Sequence, residues 1–236
     1  VLEAMGWALL GASSLLIGAL IAFAVRIADR LLGFILAFGA GVLISAVAYE
    51  LIEEAVAVTV DPRAVGAGFA LGAIVFYAGA IDRRIEDSTG RGHGLGIVLG
   101  AVLDGIPESV VIGISLLSGE SASVAVIVAV FLSNVPESIA ASSDLIRDGW
   151  PRSKVLLLWI VVVAASTLAA GLGYVALEGA SGSWVAAIQA FAAGAILTML
   201  ADEMIPEAFE STERNKTVGL AVAFGFALSA ALSFRT

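Results

Sequence analysis

Leu103-Asp104-Gly105-Ile106-Pro107-Glu108-Ser109 is answered twenty-nine residues later by Leu132-Ser133-Asn134-Val135-Pro136-Glu137-Ser138. Each copy sets a proline and then a glutamate in the middle of a long apolar run. Proline inside a helix removes one backbone hydrogen bond and frees a carbonyl. An ionisable side chain at mid-bilayer costs about 2.5 kcal/mol or more, so it marks a functional position. The same combination in two neighbouring segments predicts an ion site, with the rest of the chain as its scaffold.

Composition fixes the class. The chain has 236 residues, of which 60% are hydrophobic and 14% charged, and its mean hydropathy is +1.03. A soluble domain carries about 25% charged residues, so these values predict an all-α integral membrane protein. The absence of cysteine excludes disulfides, thiolate metal sites and thiol redox chemistry. A net charge of −9 argues against nucleic acid and favours cations near any pore. Met5 to Ala24 is long enough to span, and its basic residues follow it, so it does not read as a cleavable signal. Patterns such as Gly68-xxx-Gly72 and Gly96-xxx-Gly100 suit close helix packing in lipid.

A span needs about 20 apolar residues, and the chain offers eight, near 5–25, 31–57, 64–81, 93–118, 121–146, 153–175, 183–209 and 216–234. Residues 1–236 form one domain: spans 1–3 at 5–81, a central pair at 93–146 and spans 6–8 at 153–234. The polar run from Asp82 to His93 reads as the one long loop. With eight spans, Arg26, Arg30, Arg83, Arg84, Arg91, Arg147, Arg152, Lys154, Arg214 and Lys216 share one side, against Arg63 and Arg235 on the other. That bias makes the first side cytoplasmic and predicts both termini outside.

A shift of 153 residues lays Phe38 to Ala55 over Phe191 to Ala208, matching Gly41 with Gly194, Glu50 with Glu203 and Glu54 with Glu207. The same shift pairs Gly72 with Gly225 and Ser13-Ser14 with Ser166-Thr167. Spans 1–3 therefore resemble spans 6–8. Two spans lie between the triplets, so the second copy is inverted. Inverted repeats around a midplane site with interrupted helices are a recurring design of secondary transporters.

Asp104 and Glu108 are four residues apart, hence on one helical face, and Ser133 and Glu137 repeat that spacing with Asn134 beside them. Pro107 and Pro136 free the carbonyls of Leu103 and Leu132 as further oxygen donors. Three buried carboxylates repel one another unless a divalent cation or protons neutralise them. The plainer alternative is a set of protonated acids that only glue helices together. Glu50, Glu53 and Glu54 fall in the outer third of span 2, and Asp202, Glu203 and Glu207 in the inner third of span 7. These clusters would sit one in each mouth, with Glu50 and Glu203 deepest. His93 reads as interfacial, Met199 and Met204 as packing, and Asp144 with Arg147 as an i, i+3 surface pair. Tyr77, Tyr174 and the four tryptophans suit anchoring at the membrane interface.

Taken together, the eight spans, the 3+2+3 inverted repeat and the paired Pro-Glu helices resemble the ZIP (Zrt- and Irt-like) metal transporters over nearly the whole chain. The most specific parts are Asp104-Gly105-Ile106-Pro107-Glu108, Ser133-Asn134-Val135-Pro136-Glu137 and Glu203-Met204-Ile205-Pro206-Glu207. The resemblance implies transport of zinc, iron, manganese or cadmium into the cytosol, through the plasma membrane, with metal as substrate and no prosthetic group. Family members often form dimers, which makes a second copy of the chain a candidate partner beside the lipid bilayer. Glu108 and Glu137 match the family's metal-binding carboxylates. Asp104 stands at the family's histidine position and Gly105 at its asparagine, while Ser133 and Asn134 replace more strongly ligating residues. Span 6 supplies only Ser166 and Thr167 where two-metal members draw a further acid. One principal metal site is therefore expected, built from Asp104, Glu108, Ser133, Asn134 and Glu137. Its pathway would run past Glu50, Asp202, Glu203 and Glu207. The family name puts zinc first, while an all-oxygen ligand set widens the list toward manganese and magnesium.

Other readings are a metal-sensing or channel-like protein of the same architecture, and a proton-coupled carrier of another cation. An intramembrane metalloenzyme is disfavoured because no His-Glu-x-x-His set exists.

Overall fold

A computed structural model describes residues 1–59, 61–88, 105, 108–109, 112–113 and 124–233. Seven helices are traced in full: α1 (Leu2–Ala24), α2 (Asp29–Ala57), α3 (Pro62–Ser88), α4 (Val124–Arg147), α5 (Arg152–Leu177), α6 (Gly182–Ser211) and α7 (Val218–Ser233). Gly105, Glu108, Ser109, Ile112 and Gly113 are also helical, and the rest of the expected fourth span lies outside the described residues. The chain is all-helical, with no strand among the described residues. Among the described residues five helices, α1, α2, Pro62–Ala80 within α3, α5 and α6, are long and apolar enough to cross a membrane, and α7 is a shorter apolar helix.

Local chemistry sets the helix ends. Asp61 accepts a hydrogen bond from the Arg63 amide at 3.0 Å, and Pro62 opens α3 where its missing N–H is no loss. After α4, Trp150 N donates to the Leu145 carbonyl at 2.9 Å and Gly149 N to Ile146 at 3.0 Å. That paired closure needs a residue at positive φ, and Gly149 supplies it at +87°. The polar run expected as a loop from Asp82 to His93 is helical through Ser88. Arg, Ile and Glu are tolerated in helices and the first glycine comes only at Gly90, so α3 continues past its apolar part.

The 153-residue relation reappears in the packing. The most extensive helix pairs are α3 with α6 and α2 with α7. A β-carbon on Gly41 would collide with the Val222 carbonyl and one on Gly194 with the Phe69 carbonyl. Likewise Gly72 lies against the Phe191 carbonyl and Gly225 against that of Phe38. Partners and glycines alike differ by 153. Both copies also widen into a π-helical turn at matching places, Val47–Ile52 in α2 and Leu200–Met204 in α6. Pro206 follows the second turn, but its counterpart after the first is Glu53. The first widening therefore forms without a proline.

A second core joins α1, α4 and α5 around Trp159, which is fully buried. Its indole N–H donates to Ser142 Oγ at 2.8 Å. Trp159 is thus no interface anchor, and Trp7 and Trp150 are half-buried. Among the four tryptophans only Trp184 is mostly exposed.

Candidate metal pathway

α4 runs unbroken through Pro136 and carries most of the expected site. Ser133 and Asn134 are 1% and 5% exposed, and Glu108 on the neighbouring helical segment is 3% exposed. A soluble core rarely buries such a set, and in an apolar helical bundle each buried polar group demands a partner. Ser133 Oγ donates to the Val130 carbonyl at 3.0 Å and Ser138 Oγ to Val135 at 3.1 Å. The hydroxyl protons are therefore spent on their own helix, which leaves the oxygen lone pairs as acceptors. Glu137, one turn beyond Ser133, is half-buried. Pro136 denies the Leu132 carbonyl its helical donor, and this carbonyl lies at the contact with α2, beside Gly39.

Asp104, His93, Pro107 and Leu103 lie outside the described residues. Gly105 is described: a β-carbon there would stand 2.7 Å from Ser166 Oγ. The fourth helical segment and α5 therefore meet where the sequence offers a glycine and a serine. Among the described residues, no group of three or more His, Asp or Glu side chains is placed to hold a metal ion.

Three of the four expected pathway acids, Glu50, Asp202 and Glu203, fall on the two π-turns. Glu50 is half-buried in the turn of α2, which packs on the first part of α6. Glu53 is exposed and Glu54 half-buried just beyond it. Asp202 and Glu203 are half-buried in the turn of α6, and Glu207 is exposed one turn later. A wide turn re-aims the side chains within it, and such turns recur at functional sites.

Glu207 opens into a cavity of about 240 Å³ lined also by Ile27, Asp29, Ala140, Ser143, Asp144, Arg147 and Ser211. Three helix ends make it: the start of α2, the end of α4 and the end of α6. Gly33 draws α2 against α6, with space for no β-carbon beside the Ala208 carbonyl. Asp144 and Glu203 both act electrostatically on Glu207. Arg147 bridges the helices, with Nη1 3.2 Å from Asp144 and Nη2 3.1 Å from Asp29.

The expected i, i+3 surface pair is present and exposed; it lines this vestibule, and Asp29 joins it from another helix. A signal for Asp144 was present: Ser133, Glu137, Ala140, Asp144 and Arg147 recur at four- and three-residue intervals, one face of α4. Asp29 had no such signal, because its partner is 118 positions away. Two further buried polar side chains, Ser45 and Gln189, stand on α2 and α6 at 0% and 1% exposure. Single polar residues at those places carry no spacing that would have singled them out.

A family model described as ZIP Zinc transporter matches residues 82–233, nearly two thirds of the chain. No curated protein matches the chain.

Proposed function

The chain belongs to the ZIP zinc transporter family, and from that premise we propose that it carries a divalent metal cation into the cytosol. Members of this family are divalent metal cation transporters and not enzymes, and the chain is an integral, multi-pass membrane protein. In our reading it is a single domain of eight spans in a 3+2+3 inverted repeat, with both termini outside and the plasma membrane as its site. The matched glycine contacts and the matched π-turns support the repeat. The charge bias of the connecting segments supports the orientation.

The cation enters past Glu50, is held by Asp104, Glu108, Ser133, Asn134 and Glu137, and leaves past Asp202, Glu203 and Glu207. One observation carries this reading above the others. Glu108, Ser133 and Asn134 are all at least nine-tenths buried in an apolar helical assembly. Carboxylate buried with neutral oxygen donors is a ligand set for a hard or borderline divalent cation. The two mouths then exchange exposure, and the carboxylates trade metal for protons as they do so. Zinc is the first expected substrate, and the oxygen donors extend the range to manganese.

Uptake of zinc, manganese, iron, cadmium and magnesium into proteoliposomes of defined orientation tests this. We expect flux of at least zinc or manganese, abolished by Glu108→Ala combined with Glu137→Ala. Uptake that survives the double substitution would overturn the site. Tight metal binding without flux of any metal would instead make the chain a sensor.

A further inference from the structure

Building on the transport reading above, we propose that Arg147 is a tethered cation in the inner vestibule that competes with the transported metal for Asp29 and Asp144. It thereby sets how readily metal leaves and how strongly internal metal holds the carrier back. Two polar stripes converge on this guanidinium. On α4, Ser133, Glu137, Asp144 and Arg147 share one face, and Glu137 to Asp144 is a rise of about 10 Å. On α6, Glu203, Glu207 and Ser211 descend at four-residue intervals to the same cavity.

Arg147 stands where they meet, one nitrogen on each of two carboxylates from different helices. Asp29, Asp144 and Glu207 line one cavity, and the pair Asp29 and Asp144 is already engaged by Arg147. Arg147, Asp29 and Asp144 are 63%, 66% and 59% exposed, and exposed ion pairs are worth at most about 1 kcal/mol. A divalent ion arriving from Glu207 can therefore displace the guanidinium, and the guanidinium can close behind it. Removing the positive charge leaves two carboxylates to retain the leaving ion and to recapture it from the cytosol.

The test is uptake into oriented proteoliposomes preloaded with increasing zinc or manganese on the inner side. In Arg147→Gln, internal metal should halve uptake at a concentration about five-fold lower than in the wild type, the scale of one exposed ion pair. Arg147→Lys should stay near wild type. A second readout does not need flux: Ser211→Cys places one thiol in the vestibule of a chain without cysteine. Its labelling by a cationic thiol reagent should be faster in Arg147→Gln, and zinc should protect it at lower concentration. Equal inhibition by internal metal in Arg147→Gln and wild type, with uptake still abolished by Glu108→Ala plus Glu137→Ala, would overturn the competition and leave the transporter reading standing. If the wild type moves no metal, the transporter reading fails, and unchanged zinc protection of the Ser211→Cys thiol would overturn the competition separately.

Discussion

Gly41 and Gly194 stand 153 residues apart and seat their helices in the same way, each beneath a carbonyl oxygen of the neighbouring helix. The two carbonyls, of Val222 and Phe69, are themselves 153 positions apart. The contact is backbone on backbone, so no side-chain rotation could make room for a β-carbon. Gly41→Ala and Gly194→Ala should each lower thermal stability in detergent, at the scale of about 1–3 kcal/mol for an overpacked contact. Gly66 and Gly219 are the control, since they too differ by 153 and neither has an atom within 4 Å of its β-carbon position. Alanine there should be neutral or stabilise by up to about 1 kcal/mol, from helix propensity alone. Equal melting temperatures for all four variants would refute the close packing.

The π-turn of α6 can be closed by removing one residue. Ala201 is exposed within Leu200–Met204, and its deletion lets the helix run on with ordinary α spacing. Everything beyond keeps its face, because the wide turn absorbs one extra residue, while Asp202 and Glu203 within the turn are re-aimed. The deleted protein should remain folded and monodisperse, with a loss of metal flux of at least about ten-fold, the scale of a misplaced binding group. Wild-type flux with Ala201 absent would mean that the wide turn has no part in transport.

What the chain revealed before folding, and what it hid, separates along physical lines. Apolar spans, their punctuation and the 153-residue shift are local or repeated patterns, so the helices and the pairing of Gly41 with Gly194 were legible. Trp159 was not. In a lipid-spanning helix both faces are apolar, so α5 shows no contrast between its lipid side and its core side. The π-turns were hidden for a related reason: Leu200–Met204 and Val47–Ile52 have no residue that forbids an ordinary α-turn, and the widening answers to packing between helices. The vestibule beside Glu207 was half legible. The α4 and α6 stripes are written in four-residue spacings, whereas Asp29 reaches Arg147 only once α2 has docked on α4.

The Trp159–Ser142 hydrogen bond joins α5 to the helix that carries Ser133 and Glu137. Ser142→Ala leaves a buried indole N–H without its acceptor, which costs about 1–3 kcal/mol. Adding Trp159→Phe removes the orphaned donor as well. The double variant should therefore be more stable than the sum of the single losses, measured as thermal unfolding in detergent. Strict additivity would show that the 2.8 Å contact contributes nothing of its own. Flux should follow stability here, because neither side chain belongs to the pathway.

Selectivity should follow the donor atoms. Asp104, Glu108, Ser133, Asn134 and Glu137 offer oxygen from carboxylate, hydroxyl and amide, and a nitrogen enters only through an amide group that coordinates through its oxygen. Zinc and manganese then differ little in ligand preference, whereas imidazole favours zinc. Asp104→His restores nitrogen at one position and removes one negative charge from the set. The ratio of zinc to manganese uptake at equal concentration should rise by about ten-fold, the equivalent of about 1.4 kcal/mol in relative binding. Total uptake can fall, since the lost carboxylate weakens both ions, and the ratio is the quantity that decides. A ratio unchanged by Asp104→His would place residue 104 outside the shell that the moving ion touches, and Glu108 and Glu137 would then have to discriminate between metals without it.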